Sequence, residues 1–344
     1  MKKLFTIGLL VILLIVVSNS VLFAKETLVV PSFGGALEKA QREIMLEDFQ
    51  KENDCEVLVE TLLSMAQFSK MRVERDNPVL AVSMLDEVYA IQALEEGMYT
   101  TLDVSKLTNF KDVDPKFKAD HNKYVGWFFA NGVICYNSDY VKDPPKSWED
   151  LWDPKYKGKL ILPDITMGMG IQFLVALARL NGGSEKNMDP GFEKLASLKP
   201  NVLTFWTSHD EAMRMLNVGE AWICVECSDR PYAQQLLGSP IRSVIPEEGT
   251  FYWRNVVGIP DKLENKELAY KWIDALLSHK VQKYMAEKTL VSPVNTTVTL
   301  DLDPVLVENM MGKSTLSKMF MLDMVEINKQ KEGWTERFRR EITK

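Results

Sequence analysis

The sequence has 344 residues, enough for two domains that each bury a sizeable hydrophobic core. Hydrophobic residues make up 46% and charged residues 26%, which are globular proportions and argue against an intrinsically disordered chain. The formal net charge of −7 argues against a nucleic-acid-binding protein, which needs a basic face, although it allows a local basic pocket.

The first 24 residues have the three-part pattern of an export signal. Lys2 and Lys3 precede an unbroken apolar run over 4–17, and Ala24 is a small residue at a suitable cleavage point. The pattern predicts a signal peptide over 1–24 and a periplasmic mature protein. The alternative is an uncleaved membrane anchor, which usually needs about 20 apolar residues.

The next segment alternates strands and helices. Apolar and amphipathic runs predict strands at 27–30, 56–62 and 79–85, with helices at 37–50 and 87–96 and a further helix that begins at Ser64 as its cap. This order implies a parallel sheet with right-handed crossovers.

Ligands of open parallel sheets bind beyond the carboxyl ends of the strands. This rule selects two groups of candidate ligand-binding residues, one after the first strand and one after the third: Ser32, Phe33, Gly34 and Gly35, then Asp86 and Glu87. The glycine pair would let a ligand approach backbone N–H groups at a helix N-terminus. A simple turn explains the two glycines equally well.

The segment 126–162 joins this unit to a second one. A continuous apolar run from Gly126 predicts a buried strand that ends at Asn137. Ser147 and Asp150 have the spacing of a capping box, which predicts a short helix before the next strand. The chain therefore leaves one α/β unit here and begins another.

Two sequence blocks carry a family resemblance. YN-x-D followed by PP-x-SWEDLWDPKYKGKL, together with PEEGTFYWRN at 246–255, resembles the extracytoplasmic solute-binding proteins of ABC importers, and most closely their two-lobe type II group with the spermidine/putrescine-binding proteins. The resemblance implies an α/β fold of two doubly wound lobes, joined by crossing strands near 130–136 and 250–258, with a ligand cleft between the lobes.

The resemblance also implies the lobe boundaries of the chain and its binding partners. Lobe 1 would comprise 25–131 plus 252–300, and lobe 2 would comprise 132–251 plus 301–344. The expected partners are a small-molecule ligand and the membrane permease of an ABC importer, with no nucleic acid, and the protein is expected to be a monomer. No cofactor and no metal site are expected.

In the second unit, strand ends and one helix start supply further candidates. The sequence predicts a helix at 171–180, strands at 202–205, 221–225, 242–245 and 251–259, helices at 266–278 and 281–287, and a long Met-rich helix at 314–331. The candidates are Trp206, Glu226, Ser228, Asp229, Arg230, Trp253, Arg254 and Asn255 at or beside strand ends, with Thr166 and Gly168 as an anion cradle at a helix N-terminus. Domain-edge packing and solvated loop charges are the competing interpretations of these aromatic and charged residues.

Signals for catalysis are weak. The chain has only three histidines, none at metal-ligand spacing, and it lacks nucleophile-elbow, zincin and P-loop motifs. Cys224 and Cys227 form a lone C-x-x-C pair, which fits small core residues better than a disulfide or a metal site. We therefore expect a binding protein rather than an enzyme, with a two-domain α/β enzyme or a ligand sensor as the alternatives.

The sequence supports two hypotheses that differ in the charge of the ligand. The resemblance implies a polyamine held by the carboxylates Asp86, Glu87 and Glu226 against the aromatic wall of Trp253. Where polyamine binders have a carboxylate after this Trp, the present chain has Arg254 and Asn255. A cleft-facing Arg254 would repel ammonium groups, whereas a cleft-facing Asn255 would only weaken amine binding. A small anionic solute, such as a carboxylate, an amino-acid-like molecule or a phosphonate, is the second hypothesis.

Overall fold

The computed structural model describes residues 25–119 and 121–343. The signal peptide predicted over 1–24 lies outside the described residues. Within those ranges, no helix combines the length and the apolar character needed to cross a lipid bilayer.

The N-terminal part confirms the predicted alternation of strands and helices. Its elements are β1 (Glu26–Ser32), α1 (Gly35–Gln41), a π-helical turn (Arg42–Leu46), α2 (Glu47–Asn53), β2 (Cys55–Thr61), α3 (Ser64–Val73), β3 (Ser83–Asp86) and α4 (Glu87–Glu95). Strands β1 and β2 are parallel. The Ala81 N–H donates to the Val29 carbonyl, which places the segment before β3 beside β1.

Two local predictions in this part are wrong. The strand predicted at 79–85 is regular only over Ser83–Asp86, because the chain bends just before it. Ser64 does not cap α3, since Leu63 occupies the N-cap position without a side-chain hydrogen bond. The Ser64 hydroxyl is instead 3.0 Å from the Asp86 carboxylate. The Ser64 hydroxyl therefore hydrogen-bonds to Asp86, which is distant in sequence, and not to the end of α3 as the local pattern predicts.

The central part contains the long strand and the second α/β unit. It comprises 3₁₀ turns (Val104–Lys106, Thr108–Asp112, Pro115–Phe117), β4 (Tyr124–Asn137), 3₁₀ turns (Trp148–Trp152, Pro154–Tyr156), β5 (Leu160–Pro163), α5 (Gly168–Leu180), α6 (Asp189–Leu198), β6 (Val202–Trp206), α7 (His209–Asn217), β7 (Ile223–Cys227), α8 (Asp229–Leu236), β8 (Ile241–Val244) and β9 (Thr250–Gly258). The predicted capping box of Ser147 and Asp150 is present, and it opens a 3₁₀ turn.

Strand β4 is shared by two sheets. Its N-terminal half pairs antiparallel with β9, and its C-terminal half pairs antiparallel with β7 and β8. At the change-over, a Cβ atom on Gly132 would lie only 2.4 Å from the ring of Phe251. Glycine is therefore needed here for β4 and β9 to cross at close range.

The C-terminal part is mostly helical. It comprises α9 (Glu267–Leu276), α10 (His279–Thr289), β10 (Ser292–Pro293), α11 (Pro304–Met311), α12 (Lys313–Lys318), β11 (Met319–Met321) and α13 (Met324–Glu341). The single long helix predicted at 314–331 is wrong, because the chain extends at β11 to pair in parallel with β9. Asp323 then caps α13, accepting a hydrogen bond from the Glu326 N–H.

Two large hydrophobic clusters define two lobes. One contains Val30, Trp127 and Trp272, and we call the unit around it lobe 1. The other contains Ile134 and Phe338, and we call that unit lobe 2. Strand β4 contributes side chains to both clusters, so the lobes are joined by a strand that belongs to each of them. This arrangement is the predicted two-lobe α/β architecture.

Candidate ligand-binding site

The cleft between the lobes contains three adjoining cavities that share residues. Asp86 lines all three, and Trp253, His209 and Cys227 line two of them. The cavity that also reaches Phe33 has an empty volume of about 1150 Å³, open solvent included. We call these three connected spaces the cleft.

Asp86 is held in place by its neighbours in lobe 1. Its carboxylate accepts hydrogen bonds from the Ser64 hydroxyl at 3.0 Å and from Asn255 Nδ2 at 3.1 Å. Burial raises the pKa of the Asp86 carboxyl, and these two hydrogen bonds offset part of that shift. Asp86 ends β3, whose last pair in the sheet is with Asn255 of β9. The sheet register therefore fixes the position of a carboxylate at the cleft wall.

Alternation along β9 decides which of Trp253, Arg254 and Asn255 meet the cleft. Trp253 and Asn255 both line the cavity that contains Asp86. Asn255 Oδ1 also accepts a hydrogen bond from the indole N–H of Trp127 at 2.6 Å. Arg254, between them, is absent from the lining of all three cavities, because successive side chains of a strand point to opposite faces.

Arg254 instead forms a buried ion pair within lobe 1. Its guanidinium lies 2.5 Å from the Glu87 carboxylate and donates to the Lys116 carbonyl at 3.0 Å. Burial acts to lower the pKa of Arg254, but the charge and hydrogen bond of Glu87 outweigh it and raise that pKa. Glu87 lines one cavity, yet its charge is already matched by Arg254. The pair neutralises both groups before any solute arrives.

Lobe 2 presents an imidazole and a thiol to the same space. His209 opens α7, where Ser208 caps the helix, and its Nδ1 is 2.8 Å from Glu226 Oε1. The Glu226 side chain is fully buried, so this predicted ligand carboxylate can act on a solute only through the partly exposed ring of His209. Cys227 is buried and lines two cavities.

An acidic and a cationic residue, Asp229 and Arg230, stand together at the start of α8. Both line the cavity with Phe33, and Arg230 Nε is 3.4 Å from Asp229 Oδ2. Burial raises the pKa of the Asp229 carboxyl, and the charge of Arg230 offsets part of that effect. Nearly half of the Arg230 side chain is exposed, so its remaining donors can reach a solute.

The loop after β1 contributes backbone to the cleft. Phe33, Gly34 and Gly35 line the cavity, and the two glycines have φ values of 77° and 57°. These left-handed conformations favour glycine and open the first turn of α1 to the cavity. Ser32, predicted with them, is buried and does not line the cavities, because it lies inside the parallel pairing of β1 with β2.

The candidates around the start of α5 lie at the cleft as well. Gly168 lines two cavities and Thr166 lines one. The Thr166 hydroxyl and N–H both bond to Asp164 Oδ1, at 2.6 Å and 2.9 Å. The carboxylate of Asp164 thus lies where the anion cradle was predicted. Its negative charge would repel an anion, which argues against an anion-binding site at this helix end.

Two lobe 2 candidates serve structural roles in the described chain. Trp206 is 1% exposed and packs in the core of lobe 2, because its large apolar ring gains more from burial than from the cleft edge. Ser228 is buried and bonds through its Oγ to the Asn131 N–H of β4 at 3.3 Å. Neither lines the cavities, so the structure does not support ligand contact by these residues.

Several lining residues were not predicted. Cys227 was expected to be a small core residue, and His209, Gln172 and Met324 were not among the candidate ligand-binding residues. A histidine at the first position of a helix that follows a strand end was the one available signal, since such positions face the cleft of a parallel sheet.

Comparison with known proteins identifies the class. The model of the family described as bacterial extracellular solute-binding protein matches residues 78–313, and the chain belongs to that family. This confirms the predicted solute-binding role, and it agrees with the expectation of a protein that is not an enzyme.

Individual relatives agree with this assignment. The chain is 31% identical over 258 residues to the spermidine/putrescine-binding periplasmic protein of Salmonella typhimurium, covering 71% of each chain. It is 24% identical to the gamma-aminobutyric acid-binding protein of Pseudomonas aeruginosa, over 91% of this chain and 92% of that one. The crystal structure of an ABC transporter protein from Clostridium perfringens superposes with a TM-score of 0.80 at 28% identity, over 92% of this chain and 99% of that one.

Proposed function

We propose that this protein captures a small aliphatic amine of the polyamine type, such as putrescine or spermidine. The observation that carries the proposal is the pairing of Arg254 with Glu87, which keeps the guanidinium next to Trp253 in sequence from repelling ammonium groups in the cleft. Asp86 and Trp253 then face the same cavity, the first as a hydrogen-bonding counter-charge and the second as an aromatic wall for methylenes or a cation. The spermidine/putrescine-binding relative supports the same ligand class.

A second candidate is an ω-amino acid with one ammonium and one carboxylate group. Arg230 supports it, because this partly exposed guanidinium lines the cavity that also contains Asp86. The relative that binds gamma-aminobutyric acid points in the same direction. Asn255, a neutral residue where polyamine binders carry a carboxylate, also fits a ligand with fewer positive charges.

Isothermal titration with putrescine, spermidine, gamma-aminobutyric acid and succinate tests both candidates. The polyamine proposal expects binding of the two polyamines that survives Arg230→Gln. Binding of gamma-aminobutyric acid that is lost in Arg230→Gln would replace it with the second candidate, and binding of succinate alone would contradict both. Thermal shift gives an independent readout, since ligand at 100 times its Kd adds about 2.7 kcal/mol of stability.

The wider role follows from the family. In our proposal the mature protein acts in the periplasm after removal of residues 1–24 and delivers its solute, as a monomer, to an ABC permease. Its lobes, 25–131 plus 252–300 and 132–251 plus 301–344, close over the ligand, because only a closed cleft lets one solute touch both walls. Small-angle scattering at saturating solute should show a smaller radius of gyration, and unchanged dimensions would count against closure.

A further inference from the structure

Three metal-ligand side chains meet in the wall of the cleft. A ring nitrogen of His209, a carboxylate oxygen of Glu226 and the sulfur of Cys227 all lie within 4.8 Å of one another. His209 comes from the first position of α7, and the other two come from the end of β7. The three donors are therefore brought together by the packing of a helix on a strand rather than by a sequence motif.

One carboxylate oxygen of Glu226 lacks a hydrogen-bond partner among the described residues. Its Oε1 accepts a hydrogen bond from the Cys227 N–H at 2.7 Å and faces His209 Nδ1 at 2.8 Å. Its Oε2 is buried and has no hydrogen-bond partner within the described chain. A buried carboxylate oxygen without a partner is costly, and a bound cation is one way to satisfy it.

We propose that His209, Glu226 and Cys227 form a binding site for a divalent metal ion of the zinc type. Nitrogen, sulfur and carboxylate oxygen are the donors that zinc accepts, and a thiolate disfavours calcium and magnesium. Three protein ligands leave a fourth position of the tetrahedron. His209 and Cys227 both line the two cavities at the centre of the cleft, so that position is open to water or to a donor atom of a bound solute.

The charges of the three ligands match a divalent ion. Cys227 would bind the metal as its thiolate, so the metal must displace the thiol proton. Thiolate and carboxylate ligands would together balance the two charges of the ion, with neutral His209 as the third ligand.

The test uses the mature chain without a polyhistidine tag, freed of metal by a chelator, and zinc chloride as the titrant in calorimetry. We expect the wild type to bind one equivalent of zinc. Cys227→Ser and His209→Gln should each lower the zinc affinity by about 10- to 100-fold or more. Cobalt(II) should give a thiolate charge-transfer absorption band that is missing in Cys227→Ser. Cys55→Ser and His279→Gln, which lie outside the cluster, are the matched controls and should bind zinc as the wild type does.

Either of two outcomes would overturn the proposal: no zinc binding by the wild type, or binding that Cys227→Ser and His209→Gln leave unchanged. Because His209 is partly exposed, His209→Gln should fold normally even where Cys227→Ser does not, and metal-free melting curves check this. Putrescine titrated in the presence of chelator reports separately on the proposed function, so a failure of one proposal is distinguishable from a failure of the other.

Discussion

Asp86→Asn is expected to separate ligand binding from stability. The substitution keeps the shape of the side chain and removes its negative charge. The introduced amide can still accept from Asn255 through its oxygen and donate to Ser64 Oγ, so the local hydrogen bonds of Asp86 are largely retained. A hydrogen bond to a charged group contributes about 1.5–3 kcal/mol. Putrescine affinity should therefore fall by roughly 10- to 150-fold.

The same substitution should stabilise the ligand-free protein. Burial raises the folded-state pKa of Asp86 above its ordinary value near 3.8. The unfolded chain then binds fewer protons than the folded chain between the two pKa values, so this group costs stability as the pH rises through that window. The amide of the variant does not titrate, and the ligand-free variant should melt at a higher temperature than the wild type at neutral pH.

Titration calorimetry with putrescine and thermal melting from about pH 4 to 8, on variant and wild type together, measure both effects. The difference between the two melting curves isolates Asp86 from the other acids. Wild-type putrescine affinity in the variant would refute the assignment of Asp86 as the amine partner. A lower melting temperature at neutral pH would refute the electrostatic reasoning.

Three further substitutions test the ion pair and the start of α5. Arg254→Met should lower the free energy of unfolding by about 3–5 kcal/mol in urea denaturation, because it leaves Glu87 buried without its cation; a wild-type midpoint would contradict a buried pair. Gly170→Ala should cost about 1–3 kcal/mol, since its Cβ would lie 2.0 Å from the Asp164 carbonyl oxygen. Gly168→Ala is the matched control, with open space around its Cβ, and should change stability by less than about 0.5 kcal/mol.

The strand-end rule selected two residues that line the cleft on its lobe 1 side. Phe33 follows β1 and Asp86 ends β3, and both line the cavity. Trp253 lines it as well, although it lies within β9 rather than at its end. Which face of β9 meets the cleft could not be predicted from the sequence. It depends on the register between β9 and β3, and that register directs Trp253 toward the solute and Arg254 toward Glu87.

The lobe 2 side was harder to predict because its site residues are brought together by tertiary packing. His209 and Glu226 are 17 residues apart, and only the docking of α7 against β7 makes them neighbours. Trp206 stands at a strand end as predicted, yet its ring turns into the core. In the C-terminal part, the sequence pattern at 314–331 is helical, but β11 forms there because it pairs with the edge of β9. Local propensity cannot predict this tertiary pairing.

The shared strand β4 also governs the order in which the chain can assemble. The N-terminal half of β4 is flanked by β9 and β10, so the sheet of lobe 1 stays incomplete until residues beyond 290 are available. A nascent chain that ends before Thr250 exposes both edges of that half-strand, whereas it already contains β5, β6 and β7. Lobe 2, the later lobe in sequence, can therefore build most of its sheet first, and lobe 1 must wait for the returning segment. Unpaired β4 edges in such an intermediate are sites for aggregation.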